Sequence, residues 1–175
     1  MFISSKEAEE KAVLDAAYKL CAAARTAPKA CGIDHLDTAI VTGEDKDRLA
    51  EEMRKICDYD EKNFMFRDAG NVDKSYAVVL IGVKEDVRRL GKPCSLCHFD
   101  GCTGCKEAGG CCVFDLIDLG IAIGSAVAAA ADMRIDNRVM YTIGKGASSL
   151  GLLGDYKTIM GIPLATAGKS PFYDR

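Results

Sequence analysis

The chain has no tryptophan, only two histidines and only four prolines among its 175 residues. Neither histidine stands near a G-x-S-x-G turn, which disfavours Ser/His/Asp hydrolase chemistry. There is no excess of basic charge: the formal net charge is −3, so nothing attracts nucleic acid or an anionic membrane in general, and neither is expected as a partner. The start, MFISSKEAEEK, lacks the basic end, apolar core and small-residue cleavage site of a secretory signal. A cytoplasmic location is expected. The longest apolar run, Leu119–Ala131, has thirteen residues, short of the ~20 that cross a bilayer, and is expected to be a buried core helix. There is no internal repeat and no low-complexity tract.

What remains is a globular balance, 49% hydrophobic and 28% charged, on a chain of about one domain's length. Ser4-x-x-Glu7 has the form of a capping box, and Val13, Ala16, Ala17, Leu20, Cys21 and Ala24 follow at helical spacing. A helix is expected over about 5–25. LDTAIVTG reads as a short strand stopped by Gly43, and Asp45 as the cap of a helix running to about Cys57. The segment from Asn63 to Asn71 is polar and poorly periodic. SYAVVLIGV is a continuous β-branched run, the pattern of a strand covered on both faces. VFDLIDLGIAIGSAVAAAADM reads as a long helix, RVMYTIG as a third strand and IMGIPLATAG as a fourth. Alternating helices and strands indicate a layered α/β or α+β domain spanning 1–175.

Cysteine is what the chain has in excess. Six of its nine lie in nineteen residues, CSLCHFDGCTGCKEAGGCC, spaced Cys94-x2-Cys97-x4-Cys102-x2-Cys105-x5-Cys111-Cys112. Disulfide staples do not suit a reducing cytoplasm or a domain of this size. Zinc ribbons separate their CxxC pairs by ~12 to 20 residues, whereas four separate Cys97 from Cys102 here. An iron–sulfur cluster tolerates crowding, because each thiolate binds a different iron and glycines let backbone N–H groups approach the sulfurs. The stretch is therefore read as the loop of an iron–sulfur cluster, of the 4Fe–4S kind. A non-enzymatic module in which zinc or iron only ties the loop in place, or a thiol–disulfide redox pair, is the alternative. The candidate ligands are Cys94, Cys97, Cys102, Cys105 and Cys112, the last placed just before the long helix, where the helix dipole favours a thiolate. Cys111 is the spare. His98 reads as a surface residue, Lys92 and Lys106 as solvated neighbours, and Cys21 and Cys57 as small core residues.

Gly144-Lys145-Gly146 has the backbone freedom to wrap a phosphate, although Ser149 stands where G-x-G-x-x-G needs its third glycine. Arg25 and Lys29, around Pro28, could contact an anion at a helix end. These five residues are the candidate contacts for a flavin or other cofactor.

The residues CSLCHFDGCTGCKEAGGCCVFDLIDLGIAIGSAV, DNRVMYTIGKGASSLG and GIPLATAGKSPFYDR closely resemble a cysteine-rich family labelled ferredoxin-like. In that pattern a cysteine directly precedes the [AV]-F-D step; here it is Cys112, which again leaves Cys111 spare. The family in turn resembles the FMN-dependent nitroreductases, through AARTAPKACGIDHLDTAIVTG and through DLGIAIGSAVAAAADM, which is similar to their long dimer helix. This resemblance implies an α+β fold with a mixed antiparallel sheet flanked by helices, a homodimer, bound FMN and redox chemistry with a small-molecule or redox-protein partner. Two departures count against FMN. The paired-arginine segment that grips it has no counterpart after MFISSKEAEEK, and Ile33-Asp34-His35 replaces a Gln-Pro-Trp step. The expectation is thus an iron–sulfur electron-transfer protein.

Overall fold

The structure is a computed structural model that describes residues 1–173. Helix α1 (Ser5–Thr26) opens with the expected capping box: Ser4 accepts from the Glu7 amide while the Glu7 carboxylate accepts from the Ser4 amide. Strand β1 (Leu36–Thr42), helices α2 (Gly43–Ile56) and α3 (Phe64–Asp73), and strand β2 (Ala77–Val83) follow. Helix α4 (Gly101–Glu107) lies inside the cysteine stretch, ahead of the long α5 (Val113–Asp132). The chain then adds β3 (Asp136–Asn137), α6 (Tyr141–Ser149) and β4 (Thr158–Ala165).

The strands form one antiparallel sheet in the order β1-β2-β4-β3. Strand β2 is buried along its whole length, and the period of two sends its side chains to opposite cores. Val79, Ile81 and Val83 join Leu20 of α1 and Ala122 and Ala126 of α5 on one face. Val78 and Leu80 join Leu49 and Met53 of α2, Val72 of α3 and Ile143 of α6 on the other. A helix–sheet–helix sandwich explains why AVVLIGV carries no polar alternation.

Four expectations change. RVMYTIG is not a strand: Met140 makes only an isolated bridge to Gly161, and the chain turns helical at Tyr141. There the helical spacing of Ile143 and Ala147 buries both against the sheet and outweighs the β-branched composition. Asn63 to Asn71 is not irregular. Asn63 caps α3 through the Met65 amide at 2.9 Å, and Met65, Ala69 and Val72 form its buried face. Asp45 does not cap α2, which begins at Gly43; Asp45 lies in the first turn and pairs with Arg48. Helix α5 is buried on one face only, leaving Leu116, Ile117 and Ile121 exposed on the other.

Two glycines define how closely α6 approaches the sheet. A Cβ on Gly144 would stand 1.7 Å from the carbonyl oxygen of Ile159, and one on Gly161 would stand 2.1 Å from Cγ2 of Ile143. Replacing Gly144 by Ala should therefore cost about 3 kcal/mol or more through overpacking. Gly70 of α3 faces open space, and Gly70→Ala should gain up to about 1 kcal/mol from helix propensity. Urea denaturation of both variants checks the contrast, which fails if the two midpoints move alike.

Candidate functional site

Beyond β2 the chain leaves the sheet at Val83, runs without regular structure to Asp100, and returns through α4 to the N-terminus of α5. Gly101 permits the crossing: it holds a left-handed φ of 68°, and a Cβ there would stand 2.9 Å from the Lys92 amide nitrogen. Cys112 is the N-cap residue of α5. These constraints bring Cys94, Cys97, Cys102, Cys105 and Cys112 to the wall of one cavity. None is in a disulfide. The five thiols are those singled out from spacing, and Cys111 is not among the lining residues. Its sulfur turns instead to the Cys112 carbonyl at 3.6 Å, and its thiol is pushed up to about 11 by burial and then by the charges of Glu85 and Asp115.

Cys105 is 1% exposed. Burial pushes its thiol up to about 11, and a hydrogen bond with Cys97 and the nearby charges of Cys97, Cys112 and Cys111 add to the rise. Thiols so placed ionise together only when a cation balances them.

The cavity wall also contains Arg88, a residue that composition and spacing did not mark. Arg88 is 2% exposed. Its Nη2 lies 2.7 Å from Asp115 and 2.6 Å from Asp118, both buried carboxylates on the first two turns of α5, and its Nη1 donates to the Ile33 carbonyl. Asp115 further accepts from the Asp86 amide at 3.0 Å and from His35 Nδ1 at 2.9 Å. Asp118 accepts from the Ala30 amide at 3.1 Å. The network thus ties the segment before β1, the segment after β2 and the start of α5 to one another. One polar group is left over: Arg88 Nε is buried and has no hydrogen-bond partner.

These residues fit an iron–sulfur cluster in two respects. The donors are soft thiols that outnumber the four positions such a cluster requires. Arg88, which lines the same cavity, has an unpaired guanidinium N–H, and such a donor suits anionic sulfur, which accepts hydrogen bonds that tune a cluster's potential. Among the described residues no three Cys, His, Asp or Glu side chains are grouped to hold a single metal ion. The space between the thiols measures about 10 Å³, room for about one water; holding a cluster there would require the cysteine side chains to turn outward.

The five expected flavin contacts do not converge in this chain. Arg25 pairs with Asp34 and donates to the Leu36 carbonyl, and Lys29 donates to the carbonyls of Arg25 and Ala27. Gly144 and Gly146 lie inside α6, where a Cβ on Gly146 would stand 2.8 Å from Cγ of Met53. They serve close packing rather than a phosphate loop. Lys145 lines a small hollow with Ser148 and Lys157, in which neither Arg25 nor Lys29 takes part.

A family model described as "uncharacterized protein containing a ferredoxin domain (DUF2148)" matches residues 108–175. An uncharacterized protein of Archaeoglobus fulgidus is 41% identical over 183 residues, covering 100% of this chain and 98% of its own. The chain belongs to this ferredoxin-domain family. Its fold is shared more widely. A nitroreductase with bound FMN from Desulfitobacterium hafniense superposes with a TM-score of 0.57 at 16% identity, over 97% of this chain and 81% of that one. CinD, a Lactococcus lactis nitroreductase in complex with chloramphenicol, gives 0.56 at 16%, over 95% and 85%. YcnD, a hypothetical oxidoreductase of Bacillus subtilis, gives 0.54 at 16%; the chain spans 97% of itself but 60% of that structure. This chain therefore has an α+β fold similar to that of the nitroreductases.

The signal that could have marked Arg88 is weak but physical. Asp115 and Asp118 lie one turn apart on an otherwise apolar helix, and two carboxylates on a buried face require a cation. In this chain the Asp115–Asp118 pair is what Arg88, at the start of the cysteine loop, is moored to. Arg88→Met leaves both carboxylates uncompensated and should cost about 3–5 kcal/mol. Arg48→Met, which removes an exposed pair with Asp45, should change stability by less than about 1 kcal/mol. Chemical denaturation measures both, and equal small shifts would contradict the buried network.

Proposed function

We propose that this chain is a cytoplasmic iron–sulfur electron-transfer protein that works as a homodimer on a nitroreductase-type fold. The observation that carries this reading is the gathering of Cys94, Cys97, Cys102, Cys105 and Cys112 around one cavity that is also lined by Arg88, whose Nε is buried and unpaired. The ferredoxin domain of its family supports it. A cluster of the 4Fe–4S kind, when bound, supplies one-electron oxidation and reduction. The protein's share is to hold it by four of the five thiols, to offer the Arg88 Nε–H to sulfur, and to shield it with the apolar residues of the loop. Arg88 cannot also leave Asp115 and Asp118, so its donor stays oriented whatever the charge on the cluster.

The proposed dimer contact is the free face of α5. Leu116, Ile117 and Ile121 are exposed there, while Gly120 and Gly124 face open space. Large apolar side chains beside small residues let two helices approach closely, and a second copy offers the same surface in reverse. This also accounts for an apolar helix that its own chain covers on one side only.

Two experiments test the reading. Protein prepared anaerobically with iron and sulfide should hold both in comparable amounts and absorb broadly in the visible. Cys105→Ser should lose most of the iron and Cys111→Ser should keep it. Tightly held zinc without sulfide would assign the loop a structural metal instead. For the dimer, Ile117→Glu combined with Ile121→Glu should convert the protein to monomer in light scattering at micromolar concentration. A monomeric parent protein would remove the interface.

A further inference from the structure

Beside the closed cysteine cavity lies an open groove of about 550 Å³, lined by Val87, Arg89, Gly91, Cys102, Thr103, Lys106 and Glu107. Its size is that of a small-molecule site. Two features distinguish it from an ordinary surface hollow. First, Cys102 is half-buried and is the one cysteine that lines both the groove and the cysteine cavity. Second, Arg89 and Lys106 are exposed and make no hydrogen bond or ion pair among the described residues. Glu107 is the one carboxylate in the lining. Asp86, nearby, is held below the usual carboxylate range chiefly by the Val87 amide, with the positive charges of Lys106 and Arg89 adding to the effect. Lys92, across the loop, is already paired with Asp100. The groove lining thus carries two cations, Arg89 and Lys106, against the one carboxylate of Glu107, with Asp86 beside them.

We infer that this groove binds small organic anions, bearing carboxylate, sulfonate or phosphate groups, as electron acceptors, and that the electron leaves through Cys102. The inference rests on the iron–sulfur reading for the source of the electron; the binding of the anion does not. In the step itself the reduced cluster gives up one electron and the acceptor gains it, with no atom transferred. The cluster is reduced beforehand by a low-potential donor, dithionite in the assay. Arg89 and Lys106 hold the anion against the Cys102 sulfur, and the Thr103 hydroxyl offers a further donor. Charge selects the acceptor because a cleft of one sign raises the local concentration of the opposite sign and with it the encounter rate.

The test compares the parent protein with Arg89→Glu/Lys106→Glu and with the neutral pair Arg89→Gln/Lys106→Gln. Both residues are exposed and unpaired, so neither change should disturb the fold. Stopped-flow oxidation of the dithionite-reduced protein at low salt uses one equivalent of ferricyanide or of the cationic tris(phenanthroline)cobalt(III). The charge reversal should slow ferricyanide by about tenfold or more and leave the cobalt complex unchanged or faster, with the neutral pair between. Equal effects on the two oxidants, or none, would overturn the exit route. Calorimetric titration with anthraquinone-2,6-disulfonate needs no cluster: the parent should bind it about tenfold or more tightly than the reversed variant, and equal binding would overturn the anion site. Protein that binds this anion but holds no iron would leave the groove standing and remove the iron–sulfur reading.

Discussion

One buried cation organises this molecule. Arg88 sits between Asp115 and Asp118 at 2.7 and 2.6 Å, with nearly no exposure on any of the three. Burying two carboxylates at the start of an apolar helix is expensive unless they are paired and hydrogen-bonded, and here each is both. The result is a fixed joint between α5, the chain entering β1 and the chain leaving β2. Everything peculiar to the cysteine loop is built outward from that joint: Cys112 lies three residues before Asp115, and Arg88 stands on the wall that the other four cysteines complete.

The same joint explains why this chain departs from the flavoenzyme pattern where it does. The segment Ile33-Asp34-His35, where those proteins carry Gln-Pro-Trp, supplies the Ile33 carbonyl to Arg88, the His35 ring to Asp115 and the Asp34 carboxylate to Arg25. Residues that could face a flavin are used to moor the loop. Arg25 and Lys29 are drawn into the same local bonding. The shared scaffold shows that the architecture tolerates this change, since the sandwich depends on β2 and on the close approach of α6, neither of which involves the segment.

The five-thiol set was legible in the sequence because CxxC spacing and a cysteine before a helix are local features, and local spacing constrains where sulfur can go. The central strand was legible for a similar reason: AVVLIGV has one reading, a strand covered on both faces. RVMYTIG was misleading because β-branched residues also suit a helix whose buried face needs bulk beside glycine, and only the contacts of Gly144 and Gly161 reveal that α6 packs there. Arg88 was invisible to spacing, since its partners lie 27 and 30 positions away and its meaning comes from burial alone. The exposed stripe on α5 was missed for the opposite reason: composition cannot tell a helix covered on both sides from one covered on one side only.

The central claim is that the cysteine cavity holds a multi-iron cluster by thiolates. Mössbauer spectroscopy of the protein loaded anaerobically with iron-57 tests it most directly, because the spectrum reports both the ligand atoms and the sharing of electrons between irons. Sulfur-coordinated irons in exchange-coupled, valence-sharing pairs are the predicted result. A spectrum of isolated high-spin iron, or iron ligated by nitrogen and oxygen, would contradict the account.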